Sequence, residues 1–390
     1  MLNLKKKIIM KKFNFSEAEK IVIKLGSSIV TDAGNGLDER CLSSLIKQIS
    51  ILSSQDKKVI LVSSGAIVAG LKKLGIKKKP KILSELQSAA AVGQMDLVRM
   101  YEKLFSDNDL ISAQVLLTHN DLSDRKRYLN ARSTIFNLIK NNVIPVINEN
   151  DTVASEEIRF GDNDTLAAMV ANLIEADILV LLTDQDGLFS SDPSQDNNAR
   201  LIRHGYVDDK SLDNSATGTN SEIGTGGMTT KILAARRAAL SGTHTIIASG
   251  KRNNVLEDLS RDENIGTFLQ SREVKLVARK KWLADNLKSN GKIFIDDGAE
   301  KALIQKGKSL LVAGVTKVTG TFDRGEVIQC VNESGEEILK GIVNYNSKEV
   351  KKIIGLSSDK IEAVLGYVNE SSLIHRNNMI IIQTARKKND

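Results

Sequence analysis

Six short apolar runs punctuate the first two thirds of the chain, and each breaks off into polar residues. They are residues 20–25 (KIVIKL), 59–62 (VILV), 111–117 (ISAQVLL), 143–147 (VIPVI), 178–182 (ILVLL) and 245–248 (TIIA). Runs this short, rich in Val, Ile and Leu, predict strands, and the almost wholly β-branched or Leu run at 178–182 predicts a central one covered on both faces. Between them the apolar residues return at helical spacing, as in Leu42, Leu45, Ile46, Ile49 and Leu52, or Leu166, Met169, Val170 and Leu173. Further helices are predicted at Ile67–Leu71–Leu74, over residues 84–105 and 130–140, and over residues 232–240. In the second of these, Ala89, Ala90, Ala91 and Gly93 carry so little side chain that a neighbouring helix can approach closely. Strands alternating with helices predict an α/β fold, a mostly parallel sheet with helices on both faces.

The pattern changes near residue 290. Short β-like pieces at 292–295, 309–312, 325–331 and 341–344 alternate with Gly-rich turns and predict a small mixed β domain. The chain thus divides into a basic extension (1–19), an α/β domain (20–274), a connector (275–290) and the small β domain (291–384).

The polar residues that end the strands carry the candidate chemistry, because ligands of open α/β sheets bind outside the carboxyl ends of the strands. The densest stretch runs from Val143 to Asp164. A buried strand gives way to Asn148-Glu149-Asn150-Asp151, and Gly161-Asp162-Asn163-Asp164 then opens a helix. Asn, Asp and Gly also shape ordinary turns, but two such clusters around one short loop favour a site for a polar small molecule. Lys24 is a cation on an otherwise apolar strand, followed by Gly26-Ser27-Ser28. Ser63-Ser64-Gly65 joins strand end to helix start, with Ser64 placed to cap that helix or to meet a carboxylate or phosphate. Gly224-Thr225-Gly226-Gly227-Met228-Thr229-Thr230-Lys231, directly before the helix expected at 232–240, has the logic of a phosphate cradle. Its spacing is neither that of a P-loop nor that of a dinucleotide fingerprint.

Composition narrows the classes. With 390 residues and 41% hydrophobic content the chain has room for about two or three globular domains. Its apolar runs are too short to span a bilayer. The segment Ile8-Ile9-Met10 is too short for a secretory signal core. Cys41 and Cys330 stand far apart, outside any metal-ligand spacing, which points to free thiols and a cytoplasmic location. The net charge of +7 raises the question of nucleic acid. Much of it sits at the ends, however: six lysines against Glu17 and Glu19 in residues 1–20, and Arg386-Lys387-Lys388 in the tail. Charge runs of that kind are ordinarily solvated.

The segments IVIKLGSS, VSSGAI, PVINENDTV, FGDND, LLTDQDGL and GTGGMTTK occur in that order and together resemble the amino-acid kinase family over residues 20–274. IDDGAEKALIQKGKSLL, FDRGEVI and GIVNYNS are similar to a PUA domain. The resemblance implies ATP-dependent phosphorylation of the side-chain carboxylate of L-glutamate to L-glutamyl 5-phosphate, the opening step of proline biosynthesis. On that resemblance Lys24 and Lys231 neutralise charge on the transferring phosphoryl group and the leaving nucleotide, and Asp164 holds the lysines. Ser64, Asp151 and Asn163 bind glutamate, with Asp151 allotted to the α-ammonium. Thr183, Asp184, Thr225, Gly226, Gly227, Met228, Thr229 and Thr230, with Lys24 and Lys231, bind ATP. Mg²⁺ rides on the nucleotide phosphates, and no protein residue is assigned as its ligand. A carboxylate nucleophile with a reference pKa of about 4.3 is already ionised, so no general base is required. That agrees with four histidines lying outside any motif.

The resemblance further implies a homo-oligomer (dimer or tetramer), proline as feedback inhibitor, and handover of the labile product to glutamate-5-semialdehyde dehydrogenase. No membrane partner is expected. Another carboxylate or carbamate kinase of the same fold is the nearest alternative. RNA binding through the C-terminal domain is the distant one, opposed by Asp296, Asp297, Glu326, Glu336 and Glu337 and by the lack of an aromatic stacking surface.

Overall fold

The computed structural model describes residues 13–32, 36–154, 163–215, 227–272 and 291–382. The basic extension up to residue 12 and the connector at 275–290 therefore lie outside the described residues. Among these, the chain separates into two compact units, one of residues 13–123 and 130–272, the other of residues 124–129 and 291–382. No described helix is long and apolar enough to cross a membrane.

The first unit is built on an eight-stranded sheet. Its strands in chain order are β1 (Lys20–Leu25), β4 (Lys58–Ser63), β5 (Ile111–Leu117), β6 (Val143–Glu149), β7 (Ile178–Thr183), β8 (His204–Tyr206), β9 (His244–Ser249) and β10 (Thr267–Gln270), while β2 (Thr31–Asp32) and β3 (Gly36–Leu37) form a separate hairpin. The order across the sheet is β5-β6-β4-β1-β7-β9-β10-β8. The six strands predicted from the apolar runs are all present and mutually parallel where they pair. Strands β10 and β8 extend the sheet beyond the prediction, with β8 at the edge, and β10 runs antiparallel to β9.

Side-chain alternation decides what each face does. Ile21, Ile23 and Leu25 of β1 share one core with Ile178, Val180 and Leu182 of β7 and with Leu42, Ile46 and Ile49 of the helix Glu39–Ser54. That helix starts where the Asp38 carboxylate accepts from the backbone N–H of Cys41 at 2.9 Å. Because successive strand residues point to opposite faces, Lys24 opens onto the other side of the sheet. There the helix Asn163–Ile174 packs on β1 and against the helix Met228–Ala239.

The helices Ala66–Lys73 and Leu83–Ser106 meet backbone to backbone. A Cβ added at Gly70 would lie 1.7 Å from the carbonyl oxygen of Ala89, and one at Gly93 would lie 1.8 Å from that of Ala66. The small-residue patch read from the sequence is therefore a close-packing surface in fact.

The second unit has a five-stranded mixed sheet in the order β12-β11-β13-β14-β15, with β11 (Gly291–Ile295), β12 (Val315–Gly320), β13 (Val327–Val331), β14 (Glu337–Ile342) and β15 (Met379–Ile381). Only β11 and β13 pair parallel. Its core gathers Ile293, Phe322, Ile328, Cys330, Leu339 and Tyr345. Asp296 and Asn346 cap the helices Asp297–Lys306 and Ser347–Ile353, the latter through a reciprocal box with Glu349. The strand expected at residues 309–312 does not form. Leu310 makes a single bridge to Ile374, Val312–Gly314 turns as a 3₁₀ helix, and the strand follows at β12. Leu310 is buried while Leu311 is exposed, so two adjacent leucines mimicked strand alternation without the backbone pairing.

Candidate active site

Polar side chains collect where β1, β4, β6 and β7 end and where three helices begin. At the centre is Asp164, fully buried in the first turn of the helix Asn163–Ile174. Its Oδ1 lies 2.6 Å from Lys24 Nζ and its Oδ2 lies 3.2 Å from Lys231 Nζ. The Thr230 hydroxyl, 2.9 Å from Oδ2, donates there and also lies 2.8 Å from the Gly227 carbonyl. Burial alone would push this carboxyl up, but Lys24 and then Lys231 outweigh it and hold it well below the usual carboxylate range. A buried triad of this kind is poor evidence for stability, since desolvating three charges offsets their attraction. What it secures is position: two ammonium groups from a strand and a helix are fixed side by side, with one positive charge in excess.

Lys231 sits differently from the expectation. The helix begins at Met228 and not at 232, with extended Gly227 as its cap, so Met228, Thr229, Thr230 and Lys231 form its first turn. Three residues of favourable helical geometry after a glycine cannot be told from a loop when Thr-Thr interrupts the apolar pattern. The consequence is that Lys231 is directed by a rigid turn. Met228 is buried and Thr229 is exposed. Thr225 and Gly226 lie outside the described residues.

A second network joins Asn163 to the neighbouring strand ends. The Asn163 side-chain amide donates to the Ser63 carbonyl at 2.6 Å and to Asn148 Oδ1 at 2.9 Å, with Ser64 Oγ at 3.1 Å. Asn148 Nδ2 in turn donates to Gln94 Oε1 at 2.8 Å, and Ser63 Oγ shares a 2.7 Å hydrogen bond with the Tyr101 hydroxyl. Ser64 does not cap the following helix. Gly65 does, at φ 106°, and a Cβ there would press to 2.8 Å from Val30 Cγ1. The left-handed turn carries the chain away before the Ser64 side chain can reach the helix N–H groups, and its hydroxyl faces Asn163 instead.

On the other flank, the buried Thr183 at the end of β7 donates its hydroxyl to Asp184 Oδ1 at 3.1 Å, while its carbonyl accepts from Gly250 N at 2.8 Å. Asp151 stands two residues beyond β6 and is partly buried. Burial first, and the neighbouring Glu149 second, push its carboxyl up to about 7.

The structure thus brings Lys24, Asp164, Thr230 and Lys231 together, and Ser64 with Asn163. Thr183 and Asp184 pair with each other. The bridging parts of Asn148, Ser63, Gln94 and Tyr101 were not read from the sequence. Asn148 and Ser63 stood in the polar clusters already noted, and the one signal for Gln94 and Tyr101 was a pair of polar groups on the packed side of a long helix.

This combination of a parallel sheet, two lysines on one buried carboxylate and glycine-led helix starts defines a class, and the chain belongs to the amino acid kinase family, whose model matches residues 19–249. A PUA domain model matches residues 291–365. Within the family the likeness is specific. The chain is 55% identical over 366 residues to a glutamate 5-kinase from Nitrosospira multiformis, covering 94% of this chain and 98% of the relative. It is also 55% identical over 365 residues to a glutamate 5-kinase from Nitrosomonas eutropha, with the same coverage of both. Among solved structures, a UMP kinase from Bacillus anthracis is similar over 66% of this chain and 97% of its own, at 16% identity and a TM-score of 0.46.

Proposed function

We propose that this site transfers the γ-phosphoryl group of ATP to the side-chain carboxylate of L-glutamate, giving L-glutamyl 5-phosphate and ADP, the opening step of proline biosynthesis. The observation that carries the reading is the pair Lys24 and Lys231 locked on Asp164. Phosphoryl transfer asks for positioning and charge neutralisation more than covalent chemistry. The acceptor carboxylate is ionised at neutral pH, so the difficulty is to press one anion against another. Two ammonium groups held at fixed spacing lower that repulsion, and their fixed geometry needs no rearrangement during transfer.

In this reading Asp164 orients both lysines and does not touch the substrate. Ser64 and Asn163, with the start of the helix Asn163–Ile174, receive the substrate carboxylates, and Asp151 receives the α-ammonium. Thr183, Asp184 and residues 225–231 hold the nucleotide, whose phosphates meet the N–H groups at the start of the helix Met228–Ala239. Mg²⁺ would ride on the nucleotide phosphates and add charge neutralisation there. Asp164 is already saturated by its three partners, so the residues fit a metal held by phosphate oxygens and water and not by this carboxylate.

The same reading takes residues 20–274 as the kinase domain and residues 291–384 as a PUA-like appendage, supported by the matched ranges and the two compact units. It includes a cytoplasmic location and assembly as a homo-oligomer. It also includes inhibition by proline, which shares the amine and α-carboxylate of glutamate. An acyl phosphate hydrolyses readily, which favours direct handover to the dehydrogenase that reduces it.

The test is ADP release from Mg·ATP with glutamate, aspartate, N-acetylglutamate or carbamate offered separately, with hydroxylamine to trap the acyl phosphate. Turnover with glutamate alone, abolished in Lys231→Ala, is the expected result. Turnover with one of the other substrates instead would overturn the reading of the 148–164 loop.

A further inference from the structure

The end of β6 holds a second carboxylate with no part in the scheme above. Glu149 is 6% exposed and is the last residue of the strand. Its Oε2 lies 3.5 Å from Nδ1 of His119, at the start of the helix His119–Ser123. Its Oε1 is buried and meets no hydrogen-bond partner among the described residues. A buried oxygen of this kind is an acceptor waiting for a donor, because leaving it unmade is costly. The Asn148 side-chain oxygen that accepts from Asn163 also accepts from the backbone N–H of Glu149 at 2.9 Å, so Glu149 stands at the same corner of the sheet edge. Asp151, two residues on, feels the charge of Glu149.

Two carboxylates set close together, one with an unfilled oxygen, call for a cation that carries several donors. A divalent metal would need more ligands, and the described residues contain no group of three or more His, Cys, Asp or Glu side chains able to hold one. A primary ammonium fits, with three N–H donors on a single charge.

We infer that Glu149 is a specificity-determining residue that receives the α-ammonium of the amino-acid substrate jointly with Asp151, so that the site selects a free amine over an acylated or missing one. The inference rests on the function proposed above and deepens it. A free ammonium satisfies both carboxylates. An N-acyl analogue offers one uncharged N–H, and a dicarboxylate without the amine offers none, so either leaves the buried Glu149 carboxylate without the donors it needs. Sites built on such groups reject the deficient analogue strongly.

The experiment compares wild type, Glu149→Gln and Glu149→Asp in the hydroxamate and ADP-release assays, with glutamate, N-acetylglutamate and glutarate as acceptors. In Glu149→Gln we expect KM for glutamate to rise by about 10- to 100-fold with kcat changed by less than about threefold, the mark of lost uniform binding. The preference for glutamate over glutarate in kcat/KM should fall by at least about tenfold, with Glu149→Asp between the two. An unchanged preference in Glu149→Gln, whatever happens to KM or kcat, would make Glu149 a scaffold residue and overturn the inference. Should that variant fail to fold, calorimetric binding of glutamate and glutarate to the wild-type protein decides the matter, since equal affinities overturn it. A wild-type protein that phosphorylates N-acetylglutamate or carbamate but not glutamate defeats the proposed function itself, a result separate from the other two.

Discussion

Lys24 Nζ and Asp164 Oδ1 stand 2.6 Å apart, with neither side chain more than 6% exposed. The contact joins the middle of the sheet to the start of a helix, and the same carboxylate also pairs with Lys231. Replacing it with Asn therefore removes a buried charge that both ammonium groups share. Urea denaturation of Asp164→Asn should show a loss of about 3–5 kcal/mol. Its folded-state carboxyl lies below the usual range, so the stability it lends is present above about pH 4 and fades as the pH falls further. The variant should lack that acid limb.

Lys24→Ala and Lys231→Ala should each lower kcat by about 10²- to 10³-fold, the cost of removing one fixed donor from a phosphoryl-transfer site. KM for glutamate should move by only a few-fold, since neither lysine is assigned to the α-amino end. Lys231→Arg should recover little, because a planar fork cannot replace a compact ammonium in a packed first turn. Steady-state kinetics with the hydroxamate trap would check all three, and a large change in glutamate KM with unchanged kcat would contradict the assignment.

On the proposed role of Asp151, the binding of glutamate should depend on pH. The Asp151 carboxyl is pushed up to about 7, and only the ionised form attracts an ammonium. KM for glutamate should fall about tenfold per unit as pH rises towards 7 and level off above it. Stability of the ligand-free protein should run the other way. Between about 4 and 7 the folded chain keeps a proton that the unfolded chain has released, so this contribution is full at the acid end and lost as pH rises to about 7. Thermal melts of wild type against Asp151→Asn across that range would isolate it as a difference that opens as pH rises from about 4, with the variant the more stable, and levels off above about 7.

Gly93→Ala puts a methyl group 1.8 Å from the Ala66 carbonyl oxygen, which no side-chain rotation can relieve. The helices must part, at a cost of about 1–3 kcal/mol or more. The melting temperature should drop by several degrees, and Ala89→Gly should restore none of it, because the clash is with the backbone of residue 66.

Five of the six predicted strands were legible because burial on both faces leaves uninterrupted apolar runs such as ILVLL at β7, where every residue is buried; β5, at one edge of the sheet with only Leu117 buried, was legible from its apolar composition alone. Strands β8 and β10 were not, since HGY and TFLQ are short and half solvated and resemble loop sequence. The same contrast holds at the site. Lys24 announced itself as a charge on an apolar strand, while Asp164 stood out within a polar cluster at a helix start and Lys231 at the end of a glycine-rich turn, with their roles implied by the family resemblance. Gln94 and Tyr101 did not, because a polar group on the packed side of a helix reads as a surface residue until its partner on another element is known. The cap at Gly65 was missed for a related reason: serine is the commoner capping residue, and only the left-handed backbone at the glycine rules it out.

The contact between Gly70 and Gly93 also bears on how this edge of the sheet can move. Where two helices meet through main-chain atoms, no side chain lies between them at that point to flex or slide. The helix that starts at Gly65 is thereby coupled to the 24-residue helix Leu83–Ser106, which also anchors Asn148 through Gln94. Any opening of the Ser64 turn must swing both helices as a single stiff lever. Exchange of the amides at residues 66–73 with solvent deuterium should accordingly track that of residues 89–97 far more closely than that of the loop between them.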